Sequence, residues 1–192
     1  MGREFELKYR CDEATLRAMA QHYGPLETIT MQTTYYDTPD RSLRNRKWTL
    51  RRRLENGISV CTVKTPAVGG GRGEWEVNCG DILTAIPALV ALGAPEALLS
   101  VAADGVREVC AARFTRLATL LSPEGCTLEL ALDEGVLLGG GKALPFAEVE
   151  AELKQGSEEA AIRFGETLAR QWQLMPEHRS KVQRAMALAD QP

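Results

Sequence analysis

No apolar run in this 192-residue sequence approaches the ~18 residues that a membrane helix needs, so no membrane-spanning helix is expected. Met1-Gly2-Arg3-Glu4 has no apolar core behind its positive charge and is not expected to act as a secretory signal. Histidine is scarce: His22 and His178, read as surface residues, are the only two. The five cysteines, Cys11, Cys61, Cys79, Cys110 and Cys126, form no C-x-x-C pair. An odd, scattered set reads as free thiols in a reducing cytoplasm rather than as a disulfide frame or a zinc site. The cluster Gly69-Gly70-Gly71-Arg72-Gly73 is not followed by Lys-Ser/Thr, which argues against a P-loop. There is no repeat of fixed period and no low-complexity tract. Neither sign of charge dominates, with 23 Lys and Arg against 26 Asp and Glu and a net charge of −3. That balance argues against a basic nucleic-acid coat, but it leaves open opposite charges gathered in one place.

What is present is a globular composition, 44% hydrophobic and 26% charged, expected to form one domain over residues 1–192. Glu4 to Arg10 alternates charged and apolar residues with strand period. Asp12 to Tyr23 reads as a capped helix ended by Gly24-Pro25, and Ile29 to Asp37 as a strand closed by Thr38-Pro39-Asp40. Trp48 to Leu54 and Ile58 to Lys64 form a hairpin through Asn56-Gly57. Glu74 to Val77 follows the glycine cluster. Helices are expected at Asp81 to Gly93 and Pro95 to Ala103, then strands at Val106 to Leu121, Thr127 to Leu132 and Ala147 to Lys154. A helix from Glu158 to Gln173 and a short one from Ser180 complete an α+β chain built on a large antiparallel sheet or barrel.

Sorting these strands by face reveals an unusual pattern. Residues at i, i+2 and i+4 share a face, so Glu4, Glu6, Lys8 and Arg10 line up opposite Phe5, Leu7 and Tyr9. Glu148, Glu150, Glu152 and Lys154 line up opposite Val149, Ala151 and Leu153. Thr49, Arg51 and Arg53, Thr62 and Lys64, and Glu129 and Asp133 each form a polar face, and Glu74 and Glu76 flank Trp75. A single such face reads as solvated. Many faces carrying both signs, with enough helical stripes to cover the apolar sides, describe a barrel with helices outside and charges inside. Charges in such a lumen are costly unless they pair, bind metal or meet a charged ligand.

The cations Lys8, Arg10, Arg51, Arg53, Lys64, Arg72, Arg116 and Lys181 suit a polyanion, and Arg forks match phosphate oxygens. The carboxylates Glu4, Glu6, Asp133, Glu148, Glu150 and Glu152 are hard oxygen donors with no His or Cys among them, favouring Mg²⁺ or Mn²⁺ over zinc. Together the two sets describe metal-assisted phosphoryl transfer.

The same residues resemble the CYTH superfamily, the triphosphate tunnel metalloenzymes. The resemblance rests on Glu4-x-Glu6-x-Lys8, on Thr34-Tyr35-Tyr36-Asp37-Thr38-Pro39-Asp40 with Leu43, and on Leu50-Arg51-Arg52-Arg53. It continues through Thr62-Val63-Lys64, Arg72-x-Glu74, Phe114-Thr115-Arg116 and Glu129-Leu130-Ala131-Leu132-Asp133-x-Gly135. It ends with Glu148-x-Glu150-x-Glu152-Leu153-Lys154-x-Gly156 and with Ser180-Lys181 and Arg184. The chain is most similar to the bacterial inorganic triphosphatases; some of those carry a further C-terminal histidine-rich helical domain, which is not expected here because only His22 and His178 are present. The resemblance implies an eight-stranded antiparallel β-barrel with helices packed outside, those of residues 157–190 packing on or closing it. It implies metal carboxylates at Glu4, Glu6, Asp133, Glu148 and Glu150, with catalysis carried by Glu4, Glu6, Lys8, Glu148 and Glu150. It places the triphosphate on Lys8, Arg51, Arg53, Lys64, Arg72, Arg116, Lys181 and Arg184. Glu74, Glu76, Glu129, Glu152 and Arg113 are secondary candidates. Tyr35 and Tyr36 are read as packing or tunnel-mouth residues.

The expected function is Mg²⁺- or Mn²⁺-dependent hydrolysis of inorganic triphosphate to pyrophosphate and phosphate by a cytoplasmic monomer or homodimer, without nucleic-acid or membrane partners. Thiamine triphosphate or a nucleoside triphosphate is the nearest alternative substrate. A class IV adenylate cyclase shares the scaffold, and a non-catalytic polyphosphate-binding module is the reading of another class. Seven basic residues among positions 41–54, with no acidic one, also raise an RNA-binding loop. Alternation disfavours it, because Arg51 and Arg53 share a face that Arg52 does not.

Overall fold

The computed structural model describes residues 5–66 and 72–191, with Arg72 described through its backbone alone. Glu4 and the glycines 69–71 lie outside the described residues. The elements run β1 (Glu6–Arg10), α1 (Glu13–Tyr23), β2 (Glu27–Asp37), α2 (Ser42–Asn45), β3 (Thr49–Glu55), β4 (Ile58–Pro66) and β5 (Arg72–Asn78). They continue with α3 (Ile82–Ala91), α4 (Ala97–Val101), β6 (Arg107–Leu121), β7 (Cys126–Gly139), β8 (Lys142–Gly156), α5 (Glu158–Trp172), β9 (Met175–Pro176) and α6 (Lys181–Ala189). None of the described helices is long and apolar enough to cross a membrane.

The strands form an antiparallel sheet in the order β5-β4-β3-β2-β6-β7-β8-β1-β9. The expectation of an antiparallel sheet with helices holds. Closure by hydrogen bonds does not: the order has nine strands, and no ladder joins β5 to β9 among the described residues. The ninth strand is the reason at one end. Met175 and Pro176 pair with Arg10 and Tyr9, and Glu177 N–H donates to Lys8 O at 2.9 Å, so β1 is already occupied on the side away from β8.

The chain divides into two compact units. The first comprises residues 1–30, 114–136 and 144–180. There β1 pairs with β8 so that Leu7 faces Ala151 and Tyr9 faces Val149. Tyr9 and Val149 join Leu130, Leu132, Leu16 and Met19 of α1, and Leu168 of α5 in one buried cluster. Both helices start where a side chain satisfies an otherwise orphan N–H: Asp12 accepts from Thr15 N at 2.7 Å and Ser157 from Ala160 N at 3.1 Å. Gly165 lets α5 lie directly on β1, since a methyl group there would collide with Leu7 and Tyr9.

The second unit comprises residues 31–113, 137–143 and 181–192. Its hairpin turns at Asn56 and Gly57 with φ of 47° and 88°, as an Asn-Gly turn requires. Register sets Leu50 opposite Val63 and Val63 opposite Trp75. Leu50, Cys61 and Val63 are buried with Tyr36, with Ile82, Ile86 and Leu89 of α3, and with Leu98 of α4. In each unit the apolar strand face is the one the helices cover, and the charged residues lie on the other.

Some elements escape the sequence pattern. The strands expected to end at Leu132 and to begin at Ala147 run on to Gly139 and start at Lys142. Gly140 and Gly141, with φ of 59° and 73°, place the turn there. The helix α2 is nucleated by a buried carboxylate: Asp37 accepts from the backbone N–H groups of Thr38, Leu43 and Arg44 at 2.8, 3.0 and 3.3 Å.

The Gly156→Ala variant tests the packing at the end of β8. Its φ is +99°, and an added methyl would run into the Gly125 carbonyl oxygen and the Cys126 backbone. A loss of about 1–3 kcal/mol in denaturant unfolding is expected, and an unchanged midpoint would contradict the close approach.

Candidate metal and phosphate site

In the first unit the polar faces of β6, β7 and β8 gather a carboxylate group. Asp133 on β7 and Glu148 and Glu150 on β8 each bring an oxygen within 4.8 Å of the others. Asp133 and Glu148 are fully buried, at 0% exposure. Arg116 on β6 grips the group: its Nε and Nη2 donate to the two oxygens of Asp133, each at 2.8 Å, and Nη2 also donates to Glu150. Burial works against the Arg116 cation, but the bonds and charges of Asp133 and Glu150 outweigh it and drive its pKa upward. Arg116 is therefore a fixed positive charge.

Three carboxylates at this range repel one another, and in a poorly hydrated place the repulsion is large unless cations meet them. Across β1 the register sets Lys8 opposite Glu150 and Arg10 opposite Glu148. The donor set is oxygen alone, which favours a hard divalent cation over zinc.

The other expected residues of this unit have definite places. Glu6 is exposed and stands outside the carboxylate group, holding Lys8 Nζ at 3.0 Å. Glu129 and Glu152 share Lys154, at 3.5 and 2.9 Å, and Glu129 reaches Arg116 only at 4.0 Å. Burial opposes the Lys154 cation, but Glu152 and Glu129 prevail and raise its pKa. Glu4 lies outside the described residues.

The second unit holds most of the cations. Thr49 is opposite Lys64 and Lys64 opposite Glu74; Arg51 is opposite Thr62 and Thr62 opposite Glu76. Lys64 Nζ is 2.8 Å from Glu74, Arg51 lies 3.6 Å from Glu74 and 3.5 Å from Glu76, and Arg53 is 2.6 Å from Glu55. The Thr62 hydroxyl donates to Glu76 at 2.9 Å. Burial pushes the Glu76 pKa up, but the Thr62 hydroxyl, Arg51 and Arg53 win and hold it below the ordinary carboxylate range. Glu74 and Glu76 are thus counter-ions that order the cations. The Nε of Arg51 is buried with no hydrogen-bond partner among the described residues. Arg52 points the other way and donates to Gly80 O at 2.9 Å.

Lys181 and Arg184 both lie on α6, Arg184 buried and Lys181 half-buried. The backbone of Arg72 opens β5. Arg113 is not brought to the Arg51 face. It donates to Gln32 at 3.0 Å, and Gln32 pairs with Leu54, a position on the other face of β2 and β3.

The sequence reading treated Tyr35 and Tyr36 alike, as packing or tunnel-mouth residues, and the structure separates them. The register puts it opposite Arg51, whereas Tyr36 sits opposite Leu50 and enters the apolar cluster. Burial raises the Tyr35 pKa, while the charges of Arg51, Lys181 and Arg53 pull against that rise, so its hydroxyl lies in their field. Strand parity alone separates the two tyrosines, and it was the available signal.

A family model described as CYTH domain matches residues 2–186. An inorganic triphosphatase from Haemophilus influenzae is 28% identical over 144 residues, 74% of this chain and 41% of that protein. The matched part therefore spans about two-fifths of that relative's length. A Hippeastrum protein described as a candidate adenylyl cyclase that reveals a dominant triphosphatase activity matches with a TM-score of 0.72 at 19% identity, over 100% of this chain and 98% of its own. A Bacillus halodurans protein described as a candidate adenylate cyclase matches with a TM-score of 0.62 at 19% identity, over 96% of this chain and 98% of its own. At such identities these structures show a common fold. The chain belongs to the CYTH domain family.

Arg116→Met tests the electrostatics of the carboxylate group. Leaving Asp133 and Glu148 buried without the guanidinium is expected to cost about 3–5 kcal/mol in denaturant unfolding. Millimolar Mg²⁺ or Mn²⁺ should restore part of the loss. A variant as stable as the parent would show that Arg116 does not neutralise the group.

Proposed function

We propose that the chain hydrolyses inorganic triphosphate to pyrophosphate and phosphate with a divalent metal. The observation that carries this reading is the group of Asp133, Glu148 and Glu150, an all-oxygen donor set with two members fully buried and an arginine fork against it. Asp133, Glu148 and Glu150 would hold the ion, and Glu4 and Glu6 are further candidates for it. Bound there, Mg²⁺ or Mn²⁺ would supply Lewis-acid polarisation of phosphate oxygens.

The chain's own residues have separable tasks in this reading. Arg51, Arg53, Lys64, Arg72, Lys181 and Arg184 take phosphate oxygens, with Lys8 and Arg116 as further phosphate ligands. The unpartnered Nε of Arg51 is a donor already desolvated and in need of an acceptor. Glu74 and Glu76 hold Arg51 and Lys64 in place before substrate arrives, so little reorganisation is needed when charge moves along the anhydride. Glu150, less deeply buried than Asp133 and Glu148, is the carboxylate best placed to orient an attacking water. The Tyr35 hydroxyl, kept protonated by its burial, can donate to a phosphate oxygen. The same reading takes the chain as one domain acting in the cytoplasm, with a small polyanion as its partner.

Phosphate release from triphosphate, ATP, thiamine triphosphate and pyrophosphate, with Mg²⁺, Mn²⁺ or EDTA, tests the proposal. Triphosphate should be the best substrate and EDTA should stop the reaction. Turnover that persists in EDTA, or no release from any of the four, would sink it. Cyclic AMP formed from ATP without phosphate release would make the chain a cyclase. Glu148→Gln should lower turnover at least about a hundredfold while the circular dichroism spectrum is kept.

A further inference from the structure

The C-terminal end of α6 is tied down by charge. Asp190, next to the helix end, lies 2.6 Å from Arg44 and 3.5 Å from Arg41. A carboxylate at a helix C-terminus faces the negative end of the helix dipole and is unfavourable there by itself. The two arginines reverse that sign. Their hold on Asp190 keeps its carboxyl below the ordinary range, the Arg44 hydrogen bond being the main cause. Arg44 is itself set by Asp37, whose buried carboxylate accepts its backbone N–H, and Arg41 occupies a left-handed conformation at φ 62°. A non-glycine residue held there is a strain that the surrounding structure has to maintain.

Other contacts converge on the same end. Lys142 Nζ donates to Gln191 O at 3.0 Å. Gly139 and Gly140 let the α6 backbone approach the β7–β8 turn: a methyl on Gly139 would collide with Ala185 O and would lie 2.9 Å from Ala189 N. A cavity of about 290 Å³ beside the clamp is lined by Arg41, Arg44, Arg107, Glu108 and Asp190 among others. The other end of α6 carries Lys181, with Arg184 one turn on. Lys181 and Asp190 are nine residues apart, about 13 Å along a helix. The field of Lys181 at Tyr35, shared with Arg51 and Arg53, shows where that end of α6 delivers its charge.

We propose that Asp190 is a positioning residue for Lys181 and Arg184, and that the Arg41–Asp190–Arg44 clamp fixes α6 so that its cations meet the phosphate chain. This rests on the triphosphatase reading for its substrate, but the clamp itself does not. Breaking the clamp frees the C-terminal turn of α6 while every phosphate-binding side chain is kept. Weaker binding with little change in chemistry should follow, a shift in KM rather than in kcat.

Hydrogen exchange, direct binding and kinetics on the full chain test it. In Asp190→Asn the α6 amides should exchange about fivefold faster, while those of β3 and β4 are unchanged. Triphosphate, titrated calorimetrically in Ca²⁺ or without metal, should bind about fivefold more weakly, with KM rising to match and kcat within about twofold. The double variant Arg44→Asp with Asp190→Arg, which re-forms the pair with reversed polarity, should recover most of the binding, and the change in KM at constant kcat is what a general loss of structure would not give. Unchanged exchange and unchanged binding in Asp190→Asn, or no recovery in the double variant, overturns the clamp. If the parent protein neither binds nor cleaves triphosphate, the functional reading fails, and the α6 exchange result still decides the clamp.

Discussion

Carboxylates can be buried beside one another only if cations are built in with them, and the charged faces of this protein follow from that constraint. Asp133 and Glu148 have no exposure, and Glu150 lies within reach of both. Ionised together without compensation, they would cost more than a domain of this size can supply. Arg116 meets the requirement in part, with a fork whose geometry matches Asp133 and a further bond to Glu150. A guanidinium suits this place because it cannot give up its proton and because its donors diverge toward two acceptors at once.

The second unit solves the mirror problem. Its cations are too many to leave unpaired beside a packed sheet, so Glu55, Glu74 and Glu76 hold Arg53, Lys64 and Arg51. The pairs are partly exposed and contribute little to stability. Their effect is on order: a flexible arginine becomes a directed one. α6 shows the same economy at longer range, with a carboxylate at the unfavourable end of the helix made favourable by Arg41 and Arg44.

Much of this was legible because a strand writes its two faces in alternate residues. The polar sets Glu6-Lys8, Arg51-Arg53, Thr62-Lys64 and Glu148-Glu150 could be assigned to faces before any coordinate was known, as could the opposite orientation of Arg52. The helix starts at Asp12, Asp81 and Ser157 were readable because an N-cap is a local hydrogen bond. Illegible features depend on residues distant in sequence. Gly140 and Gly141 set the turn only because β7 and β8 continue to pair up to it. β9 is too short to show a period, and α2 is started by the Asp37 carboxylate rather than by a residue at its own N-terminus. Arg113 was a secondary candidate beside Arg116; three residues apart on β6, the two fall on opposite faces, and the bond of Arg113 to Gln32 agrees with that.

By itself the sequence determined that charges of both signs would be sorted onto single faces of antiparallel strands, and that their donors would be oxygen and guanidinium rather than imidazole or thiolate. These follow from side-chain period and residue type, which are local. The tertiary structure alone decided which carboxylates share a cation. It drew Asp133, Glu148 and Glu150 into one group, left Glu6 exposed beside Lys8, and gave Glu129 and Glu152 to Lys154. It also joined Asp190 to Arg41 and Arg44. Electrostatic pairing depends on distance and burial, and both are set by strand register and packing between segments that are far apart in the chain.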